Sequence, residues 1–408
     1  MASSKRRRIL MLIRTLSGGG AELVVETLCA GLDASEFDVR VCELNGNGEK
    51  ARTLSASGYQ VYSLSPIGTP LSLPVRLRRL RRVISGNDIE LVHSHSTDSL
   101  ADAAMCSRFG RRFRHVHTFH FGNYPHLDSL HLRLERLFRR FPDELVAVGQ
   151  NQAVSIADTY EMDVSRIRVI WNGVNPRPNR VDRELMAPFI DSGRVVIGTI
   201  GTLIAQKGYG DLVSVASELK RRGLPIVFLI VGGGPLRGEL EAAVRNASLE
   251  DTVVFLGWVK DASEVVLPAV DVFFQPSLWE AMSMVLLEAA AAGKAIICTG
   301  VGEARRVITH GQTGFIVEPG DRESMIRLLT QVVNDSAMRA RLGQAARQDF
   351  LRHWTADRMV SKYAALYRRI LGAPRGGWAA SNLRVGPKSD ARRASLAIPP
   401  EGVSDERR

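Results

Sequence analysis

Two glutamates frame the segment Pro276-Ser277-Leu278-Trp279-Glu280-Ala281-Met282-Ser283-Met284-Val285-Leu286-Leu287-Glu288-Ala289, which begins in turn-forming residues and continues as an apolar helix pattern. A carboxylate accepts hydrogen bonds from vicinal hydroxyls, so two of them on one segment suit a polyhydroxylated ligand. With Glu280 in the loop and Glu288 two turns into the helix, eight residues of helical rise separate them by about 12 Å. The amides of Ala281, Met282, Ser283 and Met284 fall at the helix N-terminus, where unpaired N–H groups hold anionic oxygens. A pair of glutamates is also ordinary solvated helix surface, and spacing alone admits both readings.

A cation is spaced to act with them. Gly201-Thr202-Leu203 follows an apolar run, and Lys207-Gly208 comes five residues beyond Thr202, where a helix pattern starts. A lysine there is placed to neutralise a diphosphate, or is simply solvated. Near the N-terminus, Ser17-Gly18-Gly19-Gly20-Ala21-Glu22 forms another glycine turn between a strand pattern and a helix pattern, where backbone amides can approach phosphate. Its spacing is not the G-x-G-x-x-G of dinucleotide sites, and no acidic residue closes the second strand in position to meet a ribose. His120 follows the apolar run Val116 to Phe119. A histidine at a strand end either touches a ligand or is a satisfied structural residue.

These residues need strand ends to hold them. Short β-branched runs alternate with helix patterns at Ile9 to Ile13, Val39 to Leu44, Tyr59 to Leu64, Leu91 to His93, Val116 to Phe119 and Leu145 to Val148. The alternation resumes at Val195 to Ile200, Ile226 to Val231, Val253 to Leu256, Val270 to Phe274, Ala295 to Cys298 and Phe315 to Val317. Between the series, after Trp171-Asn172-Gly173-Val174-Asn175-Pro176, turn-formers and charge extend as far as Arg194 and read as a linker. The pattern predicts an α/β fold of two Rossmann-like doubly wound domains, 1–176 and 177–354, facing across a cleft. A last helix over 355–372 is expected to pack back on the first domain. The basic tail 373–408 is too poor in apolar residues to order itself.

Composition narrows the classes. The 408 residues, 45% apolar and 24% charged, exceed what one core usually serves. A formal net charge of +11 favours anionic partners: phosphorylated ligands, acidic lipid or nucleic acid. Nucleic acid is disfavoured because the basic residues are not interleaved with aromatics, which make up only 6% of the chain. The cysteines Cys29, Cys42, Cys106 and Cys298 stand apart in apolar runs, which argues against a zinc site or disulfide framework and for a reducing compartment. Arg14 cuts the first apolar run short, and no apolar stretch approaches the ~20 residues of a membrane span. The expectation is a cytoplasmic chain, or one peripheral to the inner face of a membrane. Arg76, Arg78, Arg79, Arg81 and Arg82 line Leu73 to Ile84, and Arg133, Arg136, Arg139 and Arg140 line Leu130 to Phe141. Such basic helices suit either an acidic membrane surface or water.

One ordered set of motifs is more specific than any member of it. Gly19-Gly20-Ala21-Glu22, His93-Ser94-His95, His117-Thr118-Phe119-His120, Asn172-Gly173-Val174, Gln206-Lys207-Gly208, Val231 to Pro235, Phe255-Leu256-Gly257, the two glutamates and Gly311 to Gly314 resemble glycosyltransferase family 4 over roughly residues 8 to 372. The resemblance implies the GT-B fold and, for most members, retaining transfer of a sugar from a nucleotide-diphosphate donor. It places Lys207 on the donor diphosphate, Glu288 on the ribose hydroxyls, Glu280 on the transferred sugar and His120 near the reacting centre. Gly19-Gly20 becomes the loop that closes on phosphate and sugar, and Val259 lies near the nucleobase.

Two residues depart from the family pattern. Thr202 stands where many members carry arginine, and Ala281 where a glycine follows the first glutamate. Loss of a bidentate guanidinium weakens a phosphate grip unless Arg14, Arg305 or Arg306 substitutes. Alanine is tolerated wherever φ is negative. No acidic pair is placed to hold a divalent ion against the diphosphate, so metal-free, cofactor-free transfer is expected, with Lys207 and helix N-termini meeting the leaving charge. Same-face attack assisted by the leaving phosphate fits retention, with Glu280 positioning the sugar. A glycan or lipid-linked acceptor in cell-surface polysaccharide or glycolipid synthesis is the expected context. A nucleotide-sugar epimerase and a noncatalytic nucleotide-sugar-binding relative remain alternatives on the same fold.

Overall fold

The computed structural model describes residues 6–46, 48–65, 69, 71–108 and 113–373. Of the expected basic tail, residues 374–408 lie outside the described residues. The first sheet contains β1 (Arg7–Ile13), β2 (Phe37–Glu43), β3 (Gln60–Ser63), β4 (Leu91–Ser94), β5 (Arg114–Phe119), β6 (Glu144–Ala147) and β7 (Ile167–Val169). All pair in parallel in the order β3-β2-β1-β4-β5-β6-β7. The second contains β8 (Val195–Ile200), β9 (Ile226–Val231), β10 (Val253–Gly257), β11 (Val272–Gln275), β12 (Ala295–Thr299) and β13 (Phe315–Val317). Its strands are also parallel, in the order β10-β9-β8-β11-β12-β13.

Helices cover both faces of such sheets, so their strands read as unbroken apolar runs: every residue of Ile226–Val231 is buried. Strand order reverses between β1 and β4 and again between β8 and β11. Ligands of doubly wound sheets bind beyond the carboxyl ends at these switch points. The glycine turn 17–20 and His95 follow β1 and β4; the Lys207 loop and Glu280 follow β8 and β11.

The chain crosses between the halves twice, and the crossings pair. The Val174 amide donates to the Trp354 carbonyl at 3.2 Å, the Ala356 amide returns to Val174 at 2.9 Å, and Trp171 meets Trp354 edge-on. The helix Ala356–Gly372 then packs on the helix Gly20–Gly31 and buries Tyr363 and Tyr367 against the first sheet.

Several elements differ from the sequence-based expectation. β7 has only three residues, with exposed Arg168 at its centre, and leaves almost no apolar run to read. The linker contains a helix, Arg183–Ile190, capped by the Asp182 carboxylate on the Leu185 amide at 3.0 Å and hidden from a pattern reading by Pro188. On the arginine-lined helices, Leu73–Gly86 and Ser129–Phe138, Arg78, Arg82, Arg133 and Arg136 are exposed, while other arginines bond to the protein. Arg76 grips buried Asp102 with two hydrogen bonds, Arg79 donates to the Leu64 carbonyl, and Arg139 donates to the Tyr160 carbonyl. All four cysteines are buried and free. Among the described residues, no helix is long and apolar enough to cross a membrane.

Candidate active site

The loop after β11 enters the helix Met284–Ala291, where the Ser283 hydroxyl caps the first turn by accepting from the Leu286 amide at 3.3 Å. Glu288 therefore lies just past the first turn rather than two turns in. Residues 280–283 are loop, and the 12 Å helical-rise estimate does not apply across them. Ala281, Met282 and Met284 are buried here, and Ser283 is half-buried.

Three side chains converge on the nearly buried Glu280. Its Oε1 accepts from Lys207 Nζ at 2.6 Å and from Ser277 Oγ at 2.9 Å, and its Oε2 from Gln206 Nε2 at 3.1 Å. Gly208 makes this convergence possible. It adopts φ +66°, and a Cβ there would lie 2.0 Å from the Pro276 carbonyl oxygen, so only glycine lets the Lys207 loop sit against the Glu280 loop. The Leu278 amide donates to the Gln206 carbonyl at 2.7 Å across the same contact.

Glu288 faces a different neighbour. Its Oε2 accepts from Ser263 Oγ at 2.6 Å, and together they border a cavity of about 60 Å³ lined also by Asn175, Arg177 and Asn179. Burial raises the Glu288 pKa above the ordinary carboxylate value, opposed by the Ser263 hydrogen bond. Val259, after β10, is half-buried against the largest apolar cluster.

The N-terminal half closes directly on this segment. A Cβ on Gly122 would lie 2.1 Å from the Glu280 carbonyl carbon and 2.2 Å from the Ala281 nitrogen, so the two backbones touch. A Cβ on Gly20 would meet Met284 Cγ at 3.4 Å, which sets the glycine turn at the N-terminus of the Glu288 helix. The Gly19 amide is bonded to Glu22 Oε2 at 3.1 Å. The Asn172 amide donates to the Met282 sulfur at 3.2 Å, and the Asn151 amide to Glu303 Oε1 at 2.9 Å.

His120 follows β5 directly, two residues before Gly122, and its Nε2 lies 3.1 Å from Nδ1 of buried His95. Burial pulls the His120 pKa down to about 4, so the imidazole is neutral near pH 7. Each of the three arginines that could substitute for the family arginine at Thr202 has a protein partner. Thr202 is exposed, while Arg14 pairs with Asp98, Arg305 pairs with Glu318 and Arg306 lies over the Trp171 ring.

An acidic residue does close the second strand, though not in position to meet a ribose. Glu43 ends β2, but its buried carboxylate accepts from the Leu16 amide at 3.2 Å and from Ser63 Oγ at 2.6 Å. It braces the segment leading into the glycine turn. Sequence reasoning also missed Gln206, Ser277, Ser263, Gly122 and the role of His95. Gln206 and Ser277 had a local signal in their closeness to Lys207 and Glu280; Ser263, 25 residues from Glu288, had none.

Two doubly wound sheets with glycine turns, a half-buried lysine–glutamate pair and a neutral histidine at their carboxyl ends define a GT-B type glycosyltransferase. Residues 182–349 match the family described as glycosyl transferases group 1, and residues 18–177 match Glycosyltransferase Family 4. The chain belongs to this family of glycosyltransferases. It is 25% identical over 337 residues to the N-acetyl-alpha-D-glucosaminyl L-malate synthase of Bacillus anthracis, covering 79% of this chain and 85% of that one. It is 25% identical over 309 residues to the UDP-Gal:alpha-D-GlcNAc-diphosphoundecaprenol alpha-1,3-galactosyltransferase of Escherichia coli, covering 71% and 77%. The fold matches that of Anabaena HepE in complex with UDP and glucose, with a TM-score of 0.79, 20% identity and coverage of 89% of this chain and all of that one.

Proposed function

We propose that the protein transfers a sugar, with retention, from a nucleotide-diphosphate sugar to a glycan or lipid-linked acceptor in cell-surface polysaccharide or glycolipid synthesis. The observation that carries this is the junction at Glu280, where a lysine, a carboxylate and the His120–Gly122 loop of the other half meet at one point of the cleft. Residues 177–354 hold the donor and residues 1–176 present the acceptor. Ser263 and Glu288 suit vicinal ribose hydroxyls. Val259 borders the base, with Thr202 and the Gly19-Gly20 turn toward the phosphates. Lys207 and the amides of 281–284 meet the diphosphate charge as it leaves, without a metal ion. Glu280 orients the sugar while the acceptor attacks from the face the phosphate leaves. HepE, solved with UDP and glucose, supports the donor class, and the E. coli galactosyltransferase, named for a diphosphoundecaprenol substrate, supports a lipid-linked acceptor at the inner membrane face.

Thermal-shift and calorimetric screening against UDP, GDP, ADP and their sugar conjugates tests this, with and without EDTA and beside Glu288→Ala and Lys207→Ala. A ligand at 100 times its dissociation constant stabilises by about 2.7 kcal/mol. Selective stabilisation by one nucleotide series, indifferent to EDTA and clearly reduced in both variants, is expected. Silence from every nucleotide sinks the transferase reading.

A further inference from the structure

Five histidines, His93, His95, His115, His117 and His120, lie on and just after β4 and β5, and their hydrogen bonds differ in a way that fixes a proton. His93 is fully used: Nδ1 pairs with the Tyr367 hydroxyl at 2.7 Å and Nε2 with Thr118 Oγ1 at 2.8 Å. Its ring lies 3.9 Å, centroid to centroid, from that of His95. The His95 amide is anchored to the Leu12 carbonyl at 2.9 Å and to Ser99 Oγ at 3.1 Å. His95 is thus held from below, with Nδ1 directed at His120 Nε2 and Nε2 buried without a hydrogen-bond partner.

Burial holds both imidazoles neutral near pH 7, so each ring carries one proton and only one ring can donate across the 3.1 Å contact. If His120 donated, the His95 proton would have to sit on Nε2, leaving a buried N–H with no acceptor. If His95 donates from Nδ1, its Nε2 is a bare lone pair. An orphaned buried N–H is the rarer and costlier of the two defects. We propose that His95 is a positioning residue that donates from Nδ1 to His120 Nε2, fixing His120 as the Nδ1–H tautomer and making it a hydrogen-bond donor toward the bound sugar or acceptor. His120 Nδ1 has no protein partner among the described residues. The nitrogen left for a ligand therefore carries the proton. His120 does not offer a general base there, and the acceptor proton goes to the leaving phosphate. The inference rests on the transferase reading for its consequence, but not for the tautomer.

The test separates the two. In full-length protein labelled with ¹⁵N-histidine and assigned with His120→Gln, long-range ¹H–¹⁵N spectra near pH 7 report the His120 tautomer directly, whether or not any transfer is seen. Nδ1–H is expected, and Nε2–H overturns the proposal. Kinetics follow with the donor found by screening. His95→Phe keeps a ring against His93 but removes the donor, and should lower kcat by about 10- to 100-fold with KM little changed. His95→Asn places an N–H near the Nδ1 position and should recover most of that loss. Equal loss in both variants, or none in His95→Phe, refutes the positioning role. Absence of any transfer by the wild type refutes the transferase reading and leaves the spectrum to decide the tautomer.

Discussion

The Lys207 ammonium lies 2.6 Å from Glu280 Oε1, so the cation expected to meet the diphosphate and the carboxylate expected to meet the sugar are partners. Glu280 lowers the free charge that Lys207 offers a phosphate, and Lys207 compensates the charge of a nearly buried carboxylate. The two substitutions should therefore separate. Lys207→Ala removes the phosphate contact and leaves the carboxylate without its cation, weakening nucleoside-diphosphate binding by about 10- to 100-fold, or roughly 1.4–2.8 kcal/mol. Glu280→Gln releases the lysine: kcat should fall by about 100-fold or more, while affinity for the sugar-free nucleoside diphosphate stays equal or tightens. Calorimetry beside steady-state kinetics checks both, and weaker diphosphate binding in Glu280→Gln contradicts the arrangement.

Glu288 makes donor binding depend on pH. Its folded-state pKa is raised, chiefly by burial, so the unliganded protein holds this proton more tightly than an unfolded chain does. That contribution to stability is present at low pH and is lost as pH rises through the raised value. Ribose hydroxyls need the ionised carboxylate, so binding near that pKa should release a proton and weaken as pH falls. Calorimetry in buffers of different ionisation enthalpy measures the release, which should vanish in Glu288→Gln.

Gly122→Ala tests the closure of the two halves. Its Cβ would fall 2.1 Å from the Glu280 carbonyl carbon, a contact that backbone on both sides cannot absorb without separating. Activity should drop by about 100-fold, since about 1 Å of misplacement at a reacting centre costs that much. The melting temperature should move little, because Gly122 lies in the loop after β5 and its substitution leaves the side chains packed on both sheets unchanged. A variant with wild-type kinetics shows that this contact is dispensable.

The buried histidines predict acid lability. All five have depressed pKa values caused first by burial, His120 to about 4 and His115 to about 3, against an ordinary 6.5. The unfolded chain takes up these protons as pH falls below 6.5, while the folded chain refuses them. Stability present above 6.5 is therefore lost through the window down to the depressed values, by up to about 1.36 kcal/mol per pH unit for each histidine. The pH slope of thermal unfolding should be shallower by one proton in His115→Phe.

The membrane surface is testable on the residues that point outward. Leu130, Leu137 and Phe141 are 62%, 52% and 39% exposed, beside exposed Arg133 and Arg140, and Leu73 and Val75 stand near exposed Arg78 and Arg82. Both helices pack on Thr97–Arg108, which joins the two patches on one side of the sheet. Co-sedimentation with acidic vesicles should exceed that with neutral ones and should fall on replacing Arg78, Arg82, Arg133 and Arg140 by glutamate. Equal, negligible binding to both removes the membrane proposal.

Much of this molecule was legible before its structure. Apolar runs located twelve of the thirteen strands among the described residues because parallel strands buried on both faces leave an unbroken signature, and β7, short and with exposed Arg168 at its centre, left none. Glycines after β1 and β8 and the glutamates after β11 marked the strand ends that bind. The arginine stripes were legible but their partners were not, because helix periodicity does not distinguish an arginine facing water from one bonded to a buried carboxylate, as Arg76 is to Asp102.

The sequence by itself determined the two α/β halves, the family and the identity of the polar residues at the strand ends, since each of these is written in local periodicity and local order. Only the tertiary structure decided which of those residues meet. Lys207 and Glu280 are 73 positions apart, and they pair because β8 and β11 are neighbours at a switch point. Glu288 took Ser263 for the same kind of reason, and His95 reached His120 because β4 lies beside β5. Side-chain contact depends on sheet order and helix packing, which sum over the whole chain, and no window of neighbouring residues contains that sum.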